Sequence, residues 1–132
     1  MFVTQPAVPK IFLNILNHLY EIERKVAATE ELKKISRNIE RIKDSFRNDI
    51  PTQFQDSDIE LYYEDPMGQV YDETRNDLEA TIAGESTENL VVVDVIKPII
   101  RLGNKRNKIS YVVQKGIVIV ESTLNKNEDI SK

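Results

Sequence analysis

Two runs of large apolar residues between positions 10 and 50 constrain this 132-residue chain more than any other feature. Within each run an apolar side chain returns every three or four residues, the spacing of an amphipathic helix with one buried stripe. Thr29 stands where it can cap the second helix, with Glu30 and Glu31 in its first turn, and Pro51 ends it. We therefore predict an irregular lead-in over residues 1–9 and an antiparallel helical hairpin over residues 10–50.

A lone two-helix hairpin cannot bury both of its stripes, because each keeps solvent on one side. A second copy would complete a four-helix bundle, so we predict a homodimer. The alternative is that the stripes pack on the chain's own β segments. The predicted dimerisation residues are Phe12, Ile15, Leu19, Ile22, Leu32, Ile35, Ile39, Ile42 and Phe46.

The charge distribution separates the middle of the chain from the segment after residue 90. Residues 51–90 contain eleven acidic residues and one basic residue, Arg75, whereas residues 91–121 contain six basic and two acidic ones. Such asymmetry steers partners over about 8–10 Å at physiological salt, or holds the two segments together. The sequence leaves both interpretations open.

Residues 51–90 are predicted to form an acidic connecting segment with one short strand. Ile59, Leu61 and Tyr63 alternate as strand residues do, and residues 65–68 have the composition of a turn. Asp72 is placed to cap a short helix that carries Leu78 and Ile82 and is closed by Gly84, and the alternative is an extended strand.

From Leu90 onward the apolar period changes to two, which indicates strands. Pro98 ends or bulges the first strand, residues 101–108 form a basic connection, and two further strands follow. We predict a small, mainly antiparallel β-domain over residues 91–121 and a flexible polar tail over residues 122–132. The fold class is therefore α+β, a helical hairpin followed by a small β-domain.

Motifs for catalysis or metal binding are not found in this sequence. The single histidine, His18, has no second ligand at helical spacing, there is no cysteine, and the four glycines are scattered. The acidic residues from Asp56 to Asp65 lack the glycine and closing glutamate of an EF-hand. We expect no enzyme activity, no cofactor and no metal.

The basic connection from Arg101 to Lys108 is the best candidate for nucleic-acid contact. No aromatic stacking platform flanks it, so a solvated turn is the favoured interpretation. No apolar run approaches the length of a bilayer span, and MFVTQPAVPK does not have the pattern of a secretory signal. By default we expect a cytoplasmic protein.

The order of segments resembles the GrpE family, the nucleotide exchange factors of DnaK-type chaperones. Residues 11–24 are similar to the family's LLPVLDNLERA stretch, and residues 31–48 to its second short helix. Three β segments are similar as well: 68–73 to GxxFDPN, 92–97 to TVVEVLQKGY and 111–120 to RVIRPALVKV. The sequence departs from the family at residues 99–100, 111 and 114–116, and it has no counterpart of the long N-terminal paired helix.

The resemblance implies a short GrpE-like cochaperone that binds the nucleotide-binding domain of a DnaK-type chaperone and promotes ADP release. By motif, the partner-binding positions are Ile96, Tyr111 and Val120, with Tyr111 standing where the family has an arginine. Ile96 and Val120 have a second interpretation as core strand residues. The alternative function is a dimeric protein-binding adaptor without exchange activity.

Overall fold

The chain is an α+β protein, with helices in its first part and two mostly antiparallel sheets after them. The computed structural model describes residues 8–49 and 58–124. The lead-in before residue 8, residues 50–57 and most of the predicted tail lie outside the described residues. None of the helices in the described ranges is long and apolar enough to cross a membrane.

The helical segment begins with α1, Lys10–Ala27. A 3₁₀ helix, Glu30–Ile35, follows and leads into α2, Ser36–Asp44, and a terminal π turn, Ser45–Asp49. Thr29 occupies the predicted cap position, but its side chain makes no capping hydrogen bond. Instead the Leu32 amide bonds the Thr29 carbonyl at 3.1 Å, the tighter pattern of a 3₁₀ turn. The second helix is therefore less regular than its periodicity predicts.

Seven strands follow the helices, and they form two sheets. They are β1 Ile59–Glu64, β2 Val70–Tyr71, β3 Leu78–Ala83, β4 Leu90–Lys97, β5 Ile99–Asn104, β6 Ser110–Gln114 and β7 Gly116–Ser122. One sheet has the strand order β1-β5-β6 and the other the order β2-β4-β7-β3. Both sheets thus take strands from the acidic segment, for which the sequence predicts β1 alone.

The predicted helix after Asp72 is wrong, and the extended alternative is correct. Leu78–Ala83 pairs with β7 in parallel, while β4 pairs with β7 antiparallel. Asp72 instead accepts hydrogen bonds from the Thr74 amide and hydroxyl and stabilises a turn. The helix prediction is wrong because Leu78 and Ile82, four residues apart, lie on one face of a helix and also on one face of a strand. Their spacing therefore does not distinguish the two structures.

The predicted turn at residues 65–68 is confirmed. The Gln69 amide donates to the Pro66 carbonyl at 3.0 Å, and Gly68 has φ +80°. A type II turn needs a positive φ at its third residue, which glycine adopts without the Cβ clash of other residues.

The chain forms two compact units, and neither is continuous in sequence. The helical unit is Met1–Tyr63 with Ile100–Val113, and the β unit is Glu64–Ile99 with Gln114–Lys132. The predicted divisions near residues 50 and 90 do not coincide with these units. The difference arises because β5 and β6, sequence neighbours of β4 and β7, belong to the sheet that carries the helices.

Candidate functional site

The inner face of the hairpin is buried against the three-stranded sheet of the helical unit. The buried side chains of this core are Leu16, Phe46, Leu61, Ile100 and Leu102. Phe12 packs edge-on against Phe46, with ring centroids 6.0 Å apart. The chain's own sheet therefore covers part of the apolar stripe, as the alternative to the dimer prediction proposed.

A second buried cluster joins α1 to α2, with Leu19 and Val26 packed against Ile39. Beside it, the Tyr63 hydroxyl donates to Glu23 Oε1 at 2.7 Å, and Lys43 Nζ lies 3.2 Å from the same carboxylate. These contacts connect both helices to β1.

The helix phases place another set of apolar residues on the hairpin's outer side. On α2, Lys43 lies to one side of Ile39 and reaches β1, whereas Ile42 lies to the other side, at 100° per residue. On α1, Ile15 and Ile22 lie beyond Leu19, on the side away from the sheet-facing Leu16. Ile15, Ile22 and Ile42 therefore lie beside the contact between α1 and α2, on the side away from the sheet.

We name the exposed large aliphatic residues of the helical segment the outer isoleucine surface. Its members are between 42% and 61% exposed, although all are large aliphatic residues. They are Ile11, Ile15 and Ile22 of α1, Leu32 and Ile35 of the 3₁₀ helix and Ile42 of α2.

The predicted dimerisation residues thus divide between two environments. Leu19, Ile39 and Phe46 are buried within the chain, and Phe12 is partly buried against the same core. The other five, Ile15, Ile22, Leu32, Ile35 and Ile42, belong to the outer isoleucine surface. The residues that the sequence predicts as one buried stripe are therefore partly buried within the chain and partly exposed.

The three predicted partner-binding residues also differ in exposure. Ile96 of β4 is 53% exposed and Tyr111 of β6 is 37% exposed. Val120 of β7 is 0% exposed and belongs to the interior, which agrees with its second interpretation as a core residue. Its side chain is not available to a partner in this structure.

The basic segment 101–108 is partly strand and partly turn. Arg101–Asn104 lies in β5, and the turn after it is held by the Lys105 amide, which donates to the Asp58 carbonyl at 2.7 Å. Arg106 forms an ion pair with the Asp58 carboxylate. Part of the positive charge of this turn is therefore neutralised within the helical unit.

The Tyr63 hydroxyl belongs to a partly buried polar cluster beside a small cavity. Burial, followed by the bond to Glu23, raises the pKa of Tyr63, so the hydroxyl stays protonated. The adjoining cavity between α2 and β1 has a volume of about 70 Å³, room for water only. Among residues 8–49 and 58–124, no three His, Asp or Glu side chains are grouped as metal ligands would be.

Comparison with known proteins finds no family model, no curated protein and no solved structure that matches this chain.

Proposed function

We propose that this chain is a non-catalytic protein-binding module that self-associates through the outer isoleucine surface. The observation that carries the proposal is the exposure of six large aliphatic side chains on the helical segment, whose buried side chains already pack against the sheet. Clusters of exposed large apolar side chains are typical of protein interaction sites.

The partner that we propose for this surface is a second copy of the hairpin. Two hairpins that face each other through the groove between their helices form a four-helix bundle, in which each copy buries the other's isoleucines. The two helices carry side chains of both signs, among them Glu21, Lys25 and Arg41, so like charge does not oppose the approach of an identical copy.

The test is the oligomeric state, measured by sedimentation velocity over a range of protein concentrations. We expect a dimer for the wild type and a monomer for the double variant Ile22→Glu, Ile42→Glu. Ile109→Glu is the matched control, because Ile109 is equally exposed in the same unit but lies outside the outer isoleucine surface. A monomeric wild type at about 100 μM, well above the Kd of a specific dimer, would contradict the proposal.

The specific activity that we propose for the module is nucleotide exchange on a DnaK-type chaperone. Two features support it: the resemblance in segment order to the GrpE family and the exposure of Ile96 on β4. An exchange factor acts by binding the open state of its partner more tightly than the closed state. Of the three motif positions, Ile96 and Tyr111 are exposed enough to make such contacts.

This activity is tested by release of a fluorescent ADP analogue from a DnaK-type chaperone of the same organism. Accelerated release that is lost in Ile96→Asp but kept in Val70→Asp supports the proposal, since Val70 is also exposed in the β unit. No acceleration with any such chaperone would leave a self-associating adaptor as the function.

A further inference from the structure

The outer edge of β3 is an unpaired strand edge in the β unit. β3 ends the strand order β2-β4-β7-β3, and no strand within residues 8–49 and 58–124 pairs with its far side. The Gly116 amide donates to the Asp77 carbonyl at 3.0 Å, and Leu78 aligns with Gly116 in a parallel register. In a parallel ladder alternate residues bond the same neighbour, so Glu79, Thr81 and Ala83 bond β7.

The main-chain amides and carbonyls of Leu78, Ala80 and Ile82 consequently point outward from the sheet. They form a row of donors and acceptors of the kind that an added strand pairs with.

The same strand forms one side of a cleft of about 440 Å³. Ala80 and Ile82 lie opposite Val118 and Val120 of β7, so their side chains share one face of the sheet. The cleft opens on that face and is lined by Tyr71, Asp72, Glu73, Ala80, Ile82, Thr87, Asn89 and Leu90. Its lining thus combines aliphatic side chains with two carboxylates and contains no lysine or arginine.

The charge of the β unit favours a cationic occupant. Its described residues, 64–99 and 114–124, include ten carboxylates and only three basic side chains, Arg75, Lys97 and Lys115. Arg75 is already paired with Asp77 at 2.9 Å. A negative field over a cleft raises the local concentration of a positively charged ligand and its rate of association.

We propose that the β3 edge and this cleft bind an extended, basic segment of a partner protein. The segment adds to β3 as a further strand, bonding the outward groups of Ala80 and Ile82. Neighbouring side chains on paired strands project to the same face, so its residues opposite Ala80 and Ile82 project toward the cleft. A lysine or arginine there lays its aliphatic stem over Ile82 and brings its charge to Glu73.

This site lies in the β unit and uses none of the outer isoleucine surface, so it goes beyond the proposed self-association. Measurements on the Ile22→Glu, Ile42→Glu variant test peptide binding at the β3 edge separately from self-association. If that variant binds the segment with wild-type affinity, the edge site stands whether or not the hairpin dimerises.

The test uses fluorescein-labelled nine-residue peptides and fluorescence anisotropy on the full chain. One peptide alternates lysine with threonine, and the control alternates glutamate with threonine. Because like charges repel across an interface, we expect the lysine peptide to bind at least about tenfold more tightly. A lysine peptide that is N-methylated at alternate amides cannot complete the ladder and is expected to lose binding.

A matched pair of variants locates the contact. Glu73→Gln removes a cleft carboxylate, whereas Glu79→Gln makes the same change on the opposite face of β3. A partly exposed ion pair is worth up to about 1 kcal/mol, so we expect Glu73→Gln to weaken binding roughly two- to fivefold. Glu79→Gln should leave the affinity near the wild-type value.

Amide hydrogen exchange gives an independent readout of strand addition. In the free protein we expect slow exchange at Glu79, Thr81 and Ala83 and fast exchange at Ala80 and Ile82. The lysine peptide should slow exchange at Ala80 and Ile82. No binding of the lysine peptide, equal binding of the glutamate peptide, or fast exchange at these two amides in the complex would each overturn the proposal.

Discussion

The Tyr63 hydroxyl on β1 donates a 2.7 Å hydrogen bond to the Glu23 carboxylate on α1, forty positions away in the sequence. Lys43 of α2 reaches the same carboxylate at 3.2 Å and lies 5.0 Å from the centre of the Tyr63 ring. One partly buried carboxylate therefore connects three elements of the helical unit. These contacts lie on the same side of the hairpin as its packing against the sheet.

Removing the Tyr63 hydroxyl should destabilise the helical unit. Tyr63→Phe leaves the Glu23 carboxylate without its shortest hydrogen bond, and bonds to charged groups contribute about 1.5–3 kcal/mol. We expect the free energy of unfolding to fall by about that amount in urea denaturation. Tyr62→Phe removes the neighbouring hydroxyl and is the control; equal losses in both variants would show that the Glu23 bond is not the cause.

The same bond predicts a pH dependence on the alkaline side. The raised pKa of Tyr63 means that the folded state favours the protonated phenol. Its contribution to stability is complete below about pH 10, the pKa of tyrosine in an unfolded chain, and is lost as pH rises above that value. Unfolding free energies between pH 9 and 11 should fall more steeply for the wild type than for Tyr63→Phe. Parallel curves would contradict this assignment.

Arg75, the one basic residue of the acidic segment, should not be replaceable by lysine. Its guanidinium donates two hydrogen bonds to the Asp77 carboxylate, at 3.0 and 2.9 Å. It donates two more, both at 3.0 Å, to Gln69 Oε1 and to the Val70 main-chain carbonyl. Lysine has a single charged nitrogen and cannot make this fork. We expect Arg75→Lys to lower the stability of the β unit by about 1–3 kcal/mol. A double-mutant cycle with Asp77→Asn measures the coupling, and a coupling near zero would refute the prediction.

Replacing Gly116 by a larger residue should destabilise the β unit. A Cβ at this position would lie 2.8 Å from Leu78 Cδ2 and 2.9 Å from Ile99 Cγ1, closer than real Cβ contacts. Overpacking of this kind costs about 1–3 kcal/mol, which thermal unfolding of Gly116→Ala would detect. Adding Leu78→Ala opens space at the contact, so the double variant should lose less stability than the sum of the single losses. Additive losses would argue against a clash with Leu78.

The helix positions, the turn at Gly68 and the strands β1, β4, β6 and β7 were predictable from the sequence. They depend on local patterns: the period of apolar residues, the place of glycine and proline, and the alternation after Leu90. The helix predicted after Asp72 failed for a local reason too, because the spacing of Leu78 and Ile82 fits both structures. The helix prediction therefore missed strand β3 and the cleft beside it. From the sequence, only the extended alternative for these residues indicated the strand.

The sequence by itself determined that this chain has amphipathic helices followed by strands, and that its negative charge is concentrated between residues 51 and 90. Only the tertiary structure decided which side of each apolar stripe is buried and which strands share a sheet. Ile39 and Ile42 have the same side-chain chemistry three positions apart, yet one is core and the other belongs to the outer isoleucine surface. The reason is physical: periodicity records that a face is apolar, whereas burial depends on long-range contacts. Here those contacts join the hairpin to strand residues as far along the chain as Leu102.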